Sequence, residues 1–231
     1  VHPKARPRRS TISGGVMLAF LGGTGPEGRG LALRLALAGQ VAIIGSRDAD
    51  RAAKVAEELL QLAPGARIEG AANADAAALA DVVFLTFPYE GQRPVLEQLR
   101  VALDGKVVVN VIAPMRFERG RGASAVEVPA GSAAQEAQEI LPGSLVAAAF
   151  QNVSAEDLQK PEVALEGDVI VCSGHPEAKA LVMDLAREIK DLRPVDGGGL
   201  ANAKYVEQLT PLLVNINRIH KIHAGIRIVG L

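Results

Sequence analysis

Gly23, Gly25 and Gly28 stand at G-x-G-x-x-G spacing in "FLGGTGPEGRG", directly behind the apolar run "VMLA". A chain with 24 glycines in 231 residues produces such spacings by chance, so the flanks decide what this one means. Here the loop follows a strand-like run, opens a helix-like one, and lies inside a strand–helix–strand stretch of about thirty residues. In that setting each glycine has a task. The first makes the tight turn, the second lets backbone approach a pyrophosphate, and the third lets helix and strand pack closely. The diphosphate then rests on free N–H groups at the positive end of the helix dipole. The expectation is a dinucleotide site.

The end of the second strand decides which dinucleotide. An NAD site carries Asp or Glu there, to accept hydrogen bonds from the ribose 2′-OH. This chain has Gly45-Ser46-Arg47 instead, with Arg51 one helical turn further on. A hydroxyl and two guanidinium groups clasp a 2′-phosphate that an acid would repel. Ser46, Arg47 and Arg51 therefore predict NADP. Asp48, the one competing acid, reads as a helix N-cap. Arg51 also fits a solvent-facing helix charge, and that alternative stays open.

Little else in the chain has the types or spacing for chemistry. Its histidines are His2, His175, His220 and His223. The i, i+3 pair His220 and His223 lacks a third ligand, so no metal site is expected. Cys172 is the single cysteine, inside the apolar run "DVIVCSG". It has no partner for an intrachain disulfide and reads as a buried strand position.

The elements that must carry these residues alternate. "VMLAFLG", "VAIIG", "DVVFLTFP" and "KVVVNVIAP" are continuous apolar runs suited to strands covered on both faces. "EGRGLALRLALAG", "DADRAAKVAEELLQL" and "RPVLEQLRVAL" have helical spacing. The alternation implies right-handed parallel crossovers: an α/β fold with a Rossmann-type doubly wound parallel sheet over residues 16–143. "MRFERGRGASAVEVPAGS" reads as a basic, glycine-rich loop. After a soft boundary near Gly143, a smaller C-terminal α/β cap is expected over 144–231. It would hold strands at "SLVAAAF", "DVIVCSG" and "LRPVD", a helix over 176–190, and a long final helix from about Leu200.

Composition bounds the class. The chain is 48% hydrophobic and 22% charged, with a formal charge of −1, which suits a packed core and argues against a dedicated nucleic-acid binder. Lys4, Arg6, Arg8 and Arg9 make residues 1–15 a basic tail, expected to be solvated and disordered, with Met17 as the natural start. Setting those four aside leaves 21 basic against 26 acidic side chains, so the folded part is acidic. No run has membrane-spanning length and no leader resembles a signal peptide. A cytoplasmic protein without membrane or nucleic-acid partners is expected.

Four stretches, "AFLGGTGPEGRGLALRLALAG", "IIGSRDADRA", "TFPYEG" and "LANAKYVEQLTPLLVNINR", together resemble the NADPH-dependent reductases of coenzyme F420, which pass hydride between a 5-deazaflavin and NADP. The resemblance runs from about Met17 to the C-terminus. It implies that Thr24, Pro26 and Glu27 line the pyrophosphate beside the glycines, and that Ser46, Arg47 and Arg51 take the 2′-phosphate. Phe87, Pro88 and Tyr89, with Ala113 and Pro114, would lie along the nicotinamide. The deazaflavin would sit over it, against Gln151, Asn152 and Val153 of "AAFQNVSA" and against Thr210. Gln151 stands where many relatives carry His, and it is expected to hydrogen-bond a deazaflavin carbonyl. Arg116, Arg119 and Arg121 are a candidate clamp for the coenzyme's anionic tail, or simply a solvated loop. Such a reaction needs two stacked cofactors and no nucleophile, metal or obligatory base. An NADP-dependent imine or ketone reductase and a non-catalytic NADP-binding module are the alternatives. Imine-type reductases usually add a long all-helical domain, for which the stretch after Gly143 leaves little room. The apolar final helix and the "IRIVGL" end suggest a homodimer.

Overall fold

The computed structural model describes residues 15–231, so the basic tail and His2 lie outside the described residues. The alternation continues as β1 (Met17–Leu21), α1 (Pro26–Leu37), β2 (Val41–Ser46), α2 (Ala49–Leu62), β3 (Arg67–Ala72), α3 (Asn73–Leu79), β4 (Val82–Leu85), α4 (Gln92–Leu103) and β5 (Val107–Asn110). A hairpin of β6 (Met115–Glu118) and β7 (Gly122–Ala125) follows, then α5 (Ala133–Ile140), β8 (Leu145–Ala148) and the short α6 (Ala155–Leu158). The chain closes with β9 (Gly167–Ser173), α7 (Pro176–Glu188), β10 (Leu192–Asp196) and α8 (Ala203–His220).

Eight strands form one sheet in the order β3-β2-β1-β4-β5-β8-β9-β10. From β3 to β8 every neighbour is parallel, the register expected when crossover helices return the chain to one end. The sheet is nonetheless mixed, because β9 runs antiparallel to β8 and β10 follows β9 in parallel. The connection from β8 to β9 contains only the four-residue α6, so the chain turns back without a full crossover. The sheet continues across Gly143, since β8, β9 and β10 all extend it beyond β5.

Successive strand residues feed opposite layers, as pleating requires. Leu18, Phe20, Ile44, Phe84 and Val109 pack with α1, α2 and α7. Ala19, Leu21, Ile43, Leu85 and Val108 pack with α3, α4 and α5. This two-sided burial explains why those strands read as unbroken apolar runs. Asp48 caps α2 by accepting from the amides of Asp50 and Arg51, as its position predicted.

Two regions differ from the sequence expectation. The edge unit of β3 and α3 carries no strong periodic signal; α2 seats on β3 because Gly70 has no side chain, and a Cβ there would lie 2.3 Å from the Ala52 carbonyl carbon. The segment expected to be a loop after Pro114 is the β6–β7 hairpin. Gly120 and Gly122 supply its left-handed turn positions (φ 81° and 96°). Asn215 of α8 fastens it by accepting from the Ala123 amide at 2.9 Å and donating to the Ala123 carbonyl at 2.7 Å.

Candidate active site

Register places the sequence-predicted residues on one rim. Gly45, Leu21, Leu85, Asn110 and Ala148 are partners in a row across β2, β1, β4, β5 and β8. The residues that follow them leave the carboxyl ends of five parallel strands side by side. Strand order reverses between β1 and β4, and that switch point is where open α/β sheets bind ligands. The glycine loop leaves β1 there.

Gly22, and not Gly23 as the motif alone suggested, is the left-handed residue of the turn (φ +74°). A Cβ on Gly22 would also lie 2.8 Å from Phe87 Cβ, so this glycine brings the "TFPYEG" segment against the loop. Gly23 and Gly28 serve packing. A Cβ on Gly23 would meet Phe20 O at 2.6 Å, and one on Gly28 would meet Gly23 Cα and Thr86 Oγ1 at 2.6 Å each. Gly25 differs, because its nearest neighbour would be 3.6 Å away. Gly25 is also the N-cap of α1, with no capping side chain and Pro26 in the first turn. An open backbone at an uncapped helix start is the geometry an anion requires.

Glu27 sits in that first turn. Its Oε1 is buried without a hydrogen-bond partner, and burial alone pushes its carboxyl up to about 8. A neutral carboxyl beside a diphosphate donates a proton, where a carboxylate would repel the ligand. At the end of β2, Ser46 is buried and its Oγ accepts from the Asp48 amide at 3.2 Å. Arg47 and Arg51 are exposed, and neither forms an ion pair among the described residues, so both guanidinium groups are available to a phosphate.

On the other half of the rim, Phe87 and Tyr89 are half-buried, Pro88 is exposed, Ala113 is half-buried and Pro114 is buried. Burial, and then Glu136 beside it, pushes the Tyr89 phenol up. Behind them runs a buried polar chain. Gln92 Nε2 donates to Glu136 and to the Ala133 carbonyl, and Gln92 Oε1 accepts from Asn110 Nδ2 at 2.8 Å. The Asn110 carbonyl accepts from Gln151 Nε2 at 2.9 Å. Asn152 Nδ2 donates to the Val206 carbonyl and to Thr210 Oγ1, and Thr210 donates to the Gln151 carbonyl. Phe150, just before this pair, is buried in left-handed backbone (φ 72°), a conformation strained for a bulky residue and concentrated at functional sites. Its ring packs 6.0 Å from that of Phe84.

Among the described residues, three buried side-chain polar atoms lack a partner: Glu27 Oε1, Gln151 Oε1 and Asn152 Oδ1. All three belong to the residues expected to face cofactor. Buried polar groups are normally satisfied, so such atoms point to a missing ligand. The expectation that Gln151 donates to a carbonyl is reversed, since its amide nitrogen is already committed to Asn110.

The largest pocket, about 290 Å³, is a different feature. It shares with the rim only Asn152 and Val153, and is otherwise walled by residues such as Asp168, His223 and Ile226. His223 is tied to Asp157 at 2.6 Å and Glu156 at 3.1 Å. Of the hairpin arginines, Arg116 and Arg121 pair with Glu118, which leaves Arg119 as the freer charge. Among the described residues no helix is long and apolar enough to cross a membrane.

Sequence reasoning missed two supports of the rim. Buried Arg34 of α1 donates to the carbonyls of Asp157, Leu158, Lys160, Pro161 and Val163, fixing the chain just past Gln151–Asn152. Glu207 of α8 accepts from the amides of Ala133 and Ala134 at the start of α5. Glu207 lies in the quoted "VEQLTP" stretch, yet nothing local reveals what it caps.

Fold and rim together define a Rossmann-type reductase working on a nicotinamide dinucleotide. The family model described as coenzyme F420-dependent NADP oxidoreductase matches residues 17–114. Over 222 residues the chain is 43% identical to the F420-dependent NADP reductase of Methanothermobacter marburgensis, covering 93% of this chain and 98% of that one. The Methanocaldococcus jannaschii F420-dependent NADP reductase is 41% identical, with 93% and 98% coverage. A crystal structure from Arthrobacter sp. FB24, assigned to the same reductases, superposes with a TM-score of 0.80 at 26% identity, covering 93% of this chain and all of that one. The chain belongs to the F420-dependent NADP reductase family.

Proposed function

We propose that this enzyme passes hydride between reduced coenzyme F420 and NADP. The observation that carries the reading is the single rim from Ser46 to Asn152, with its uncapped helix start and its three unpartnered polar atoms. Relatives 41–43% identical over nearly their whole length support it. Gly23, Thr24, Gly25, Pro26, Glu27 and Gly28 hold the pyrophosphate, and Ser46, Arg47 and Arg51 the 2′-phosphate. Phe87, Pro88, Tyr89, Ala113 and Pro114 flank the nicotinamide, and Gln151, Asn152, Val153 and Thr210 flank the deazaflavin. Hydride exchange between two stacked rings supplies the chemistry, with reacting carbons about 3–3.5 Å apart. The protein's part is to bind, align and exclude water.

A stopped-flow assay following NADPH with F420, or with a cyclic imine or ketone, tests the reading. Turnover with F420 is expected. Turnover with only the imine or ketone would overturn it in favour of a small-molecule reductase, and NADPH binding without any turnover would leave a nucleotide-binding module.

The same reading includes a cytoplasmic location and a homodimer through α8. Tyr205, Leu212 and Ile219 recur every seventh residue on that helix with exposures of 62%, 53% and 67%, an apolar stripe that suits a partner helix. Leu212→Glu should convert a dimer to monomer in light scattering; a wild-type monomer would refute this.

A further inference from the structure

Gln151 and Asn152 are each more than nine-tenths buried, at 5% and 8% exposure. Both amide nitrogens are spent within the protein, on the Asn110 carbonyl and on Val206 O and Thr210 Oγ1. Those acceptors fix which way each amide points, because a carbonyl oxygen facing the Asn110 or Val206 carbonyl would be repelled. What remains for a ligand is two carbonyl oxygens and no donor. Thr210 adds none, since its hydroxyl proton goes to the Gln151 carbonyl.

We propose that Gln151 Oε1 and Asn152 Oδ1 accept hydrogen bonds from the imide N–H edge of the deazaflavin, making this pair the determinant that selects a second ring carrying such a donor. The inference rests on the proposed function, because a deazaflavin must enter the cleft for the pair to read it. The site rejects planar acceptors that present only carbonyls there, because they leave two buried oxygens unpaired. The nicotinamide carboxamide also has N–H donors, so the test must separate the two sources. A His in place of Gln151 can present either a donor or an acceptor, whereas this amide, held by Asn110, presents only the acceptor.

The experiment is calorimetric titration of the full chain, in the presence of saturating NADP, with a 5-deazaflavin and with its 3-methyl derivative, which lacks the imide N–H. Methylation should weaken binding roughly 10- to 100-fold in the wild type. In Gln151→Met, which removes one acceptor, the penalty should shrink to a few-fold. No methyl penalty in the wild type overturns the proposal, and this arm needs no variant to fold. A penalty undiminished in Gln151→Met, when that variant binds NADPH normally, also overturns it, because the methyl then merely collides. The acetylpyridine analogue of NADPH should bind like NADPH itself; a penalty there and none on methylation would move the contact to the carboxamide and refute the assignment. Failure of the unmethylated deazaflavin to bind would sink the underlying function as well, an outcome distinct from binding without a methyl penalty.

Discussion

Replacing Glu207 should loosen the molecule where α8 meets α5. The side chain is 2% exposed, and it receives the Ala133 amide at 2.8 Å and the Ala134 amide at 3.1 Å. Glu207→Ala strands two buried N–H groups at a helix start. At about 1–3 kcal/mol each, the cost is about 2–6 kcal/mol, a large share of a typical domain's stability. Glu207→Gln retains one acceptor oxygen and should cost about 1–3 kcal/mol. Burial raises the Glu207 carboxyl to about 7, against the pull of its two amide bonds. Between about pH 4.5 and 7 the native state therefore holds a proton that the unfolded chain has released. Stability linked to this group is full below that window and is lost as pH rises through it, at up to about 1.4 kcal/mol per pH unit. Glu207→Gln lacks this slope, so its deficit relative to wild type should narrow from pH 5.5 to pH 8. Urea unfolding at both pH values, with the m-value unchanged, measures this. A Glu207→Ala deficit below about 0.5 kcal/mol, or a gap that widens with pH, would refute the capping argument.

The Arg47→Ala, Arg51→Ala double variant should lose roughly 10- to 100-fold in NADPH affinity with little change for NADH, read by fluorescence titration; equal losses for both would show that the arginines do not read the 2′-phosphate. Glu27 ionises as pH rises through about 8, so wild-type NADPH affinity should fall above that pH while Glu27→Gln stays flat; parallel pH profiles would remove Glu27 from the phosphate site. Changing Arg116, Arg119 and Arg121 together to Ala should raise the deazaflavin KM and leave the NADPH KM alone, with equal changes in steady-state kinetics counting against a clamp.

The nucleotide half was legible because its signals are local. A strand buried on both faces writes itself as an apolar run, and the glycine loop, Ser46, Arg47 and the Asp48 cap all lie within thirty residues of one another. The edge unit of β3 and α3 was not, because a half-exposed strand and a single two-turn helix carry little periodicity. The hairpin was hidden because its glycines and arginines look like loop residues until Asn215, 92 positions away, fastens Ala123. Distance also concealed Arg34, whose carbonyl partners lie 123 to 129 residues further along. The polarity of Gln151 was the subtlest miss. Residue type offers both a donor and an acceptor, and only the Asn110 carbonyl decides which one is left over.

The continuity of the sheet across Gly143 has a consequence for anyone wishing to borrow the nucleotide half as a portable module. Severing the chain there would strip β8 from β5 and bare the backbone of Val107–Asn110 along an apolar rim. An uncovered, hydrophobic strand of that kind recruits other chains and favours aggregates. A transplanted nucleotide half would therefore need a substitute eighth strand, or charged residues written into β5, to remain in solution.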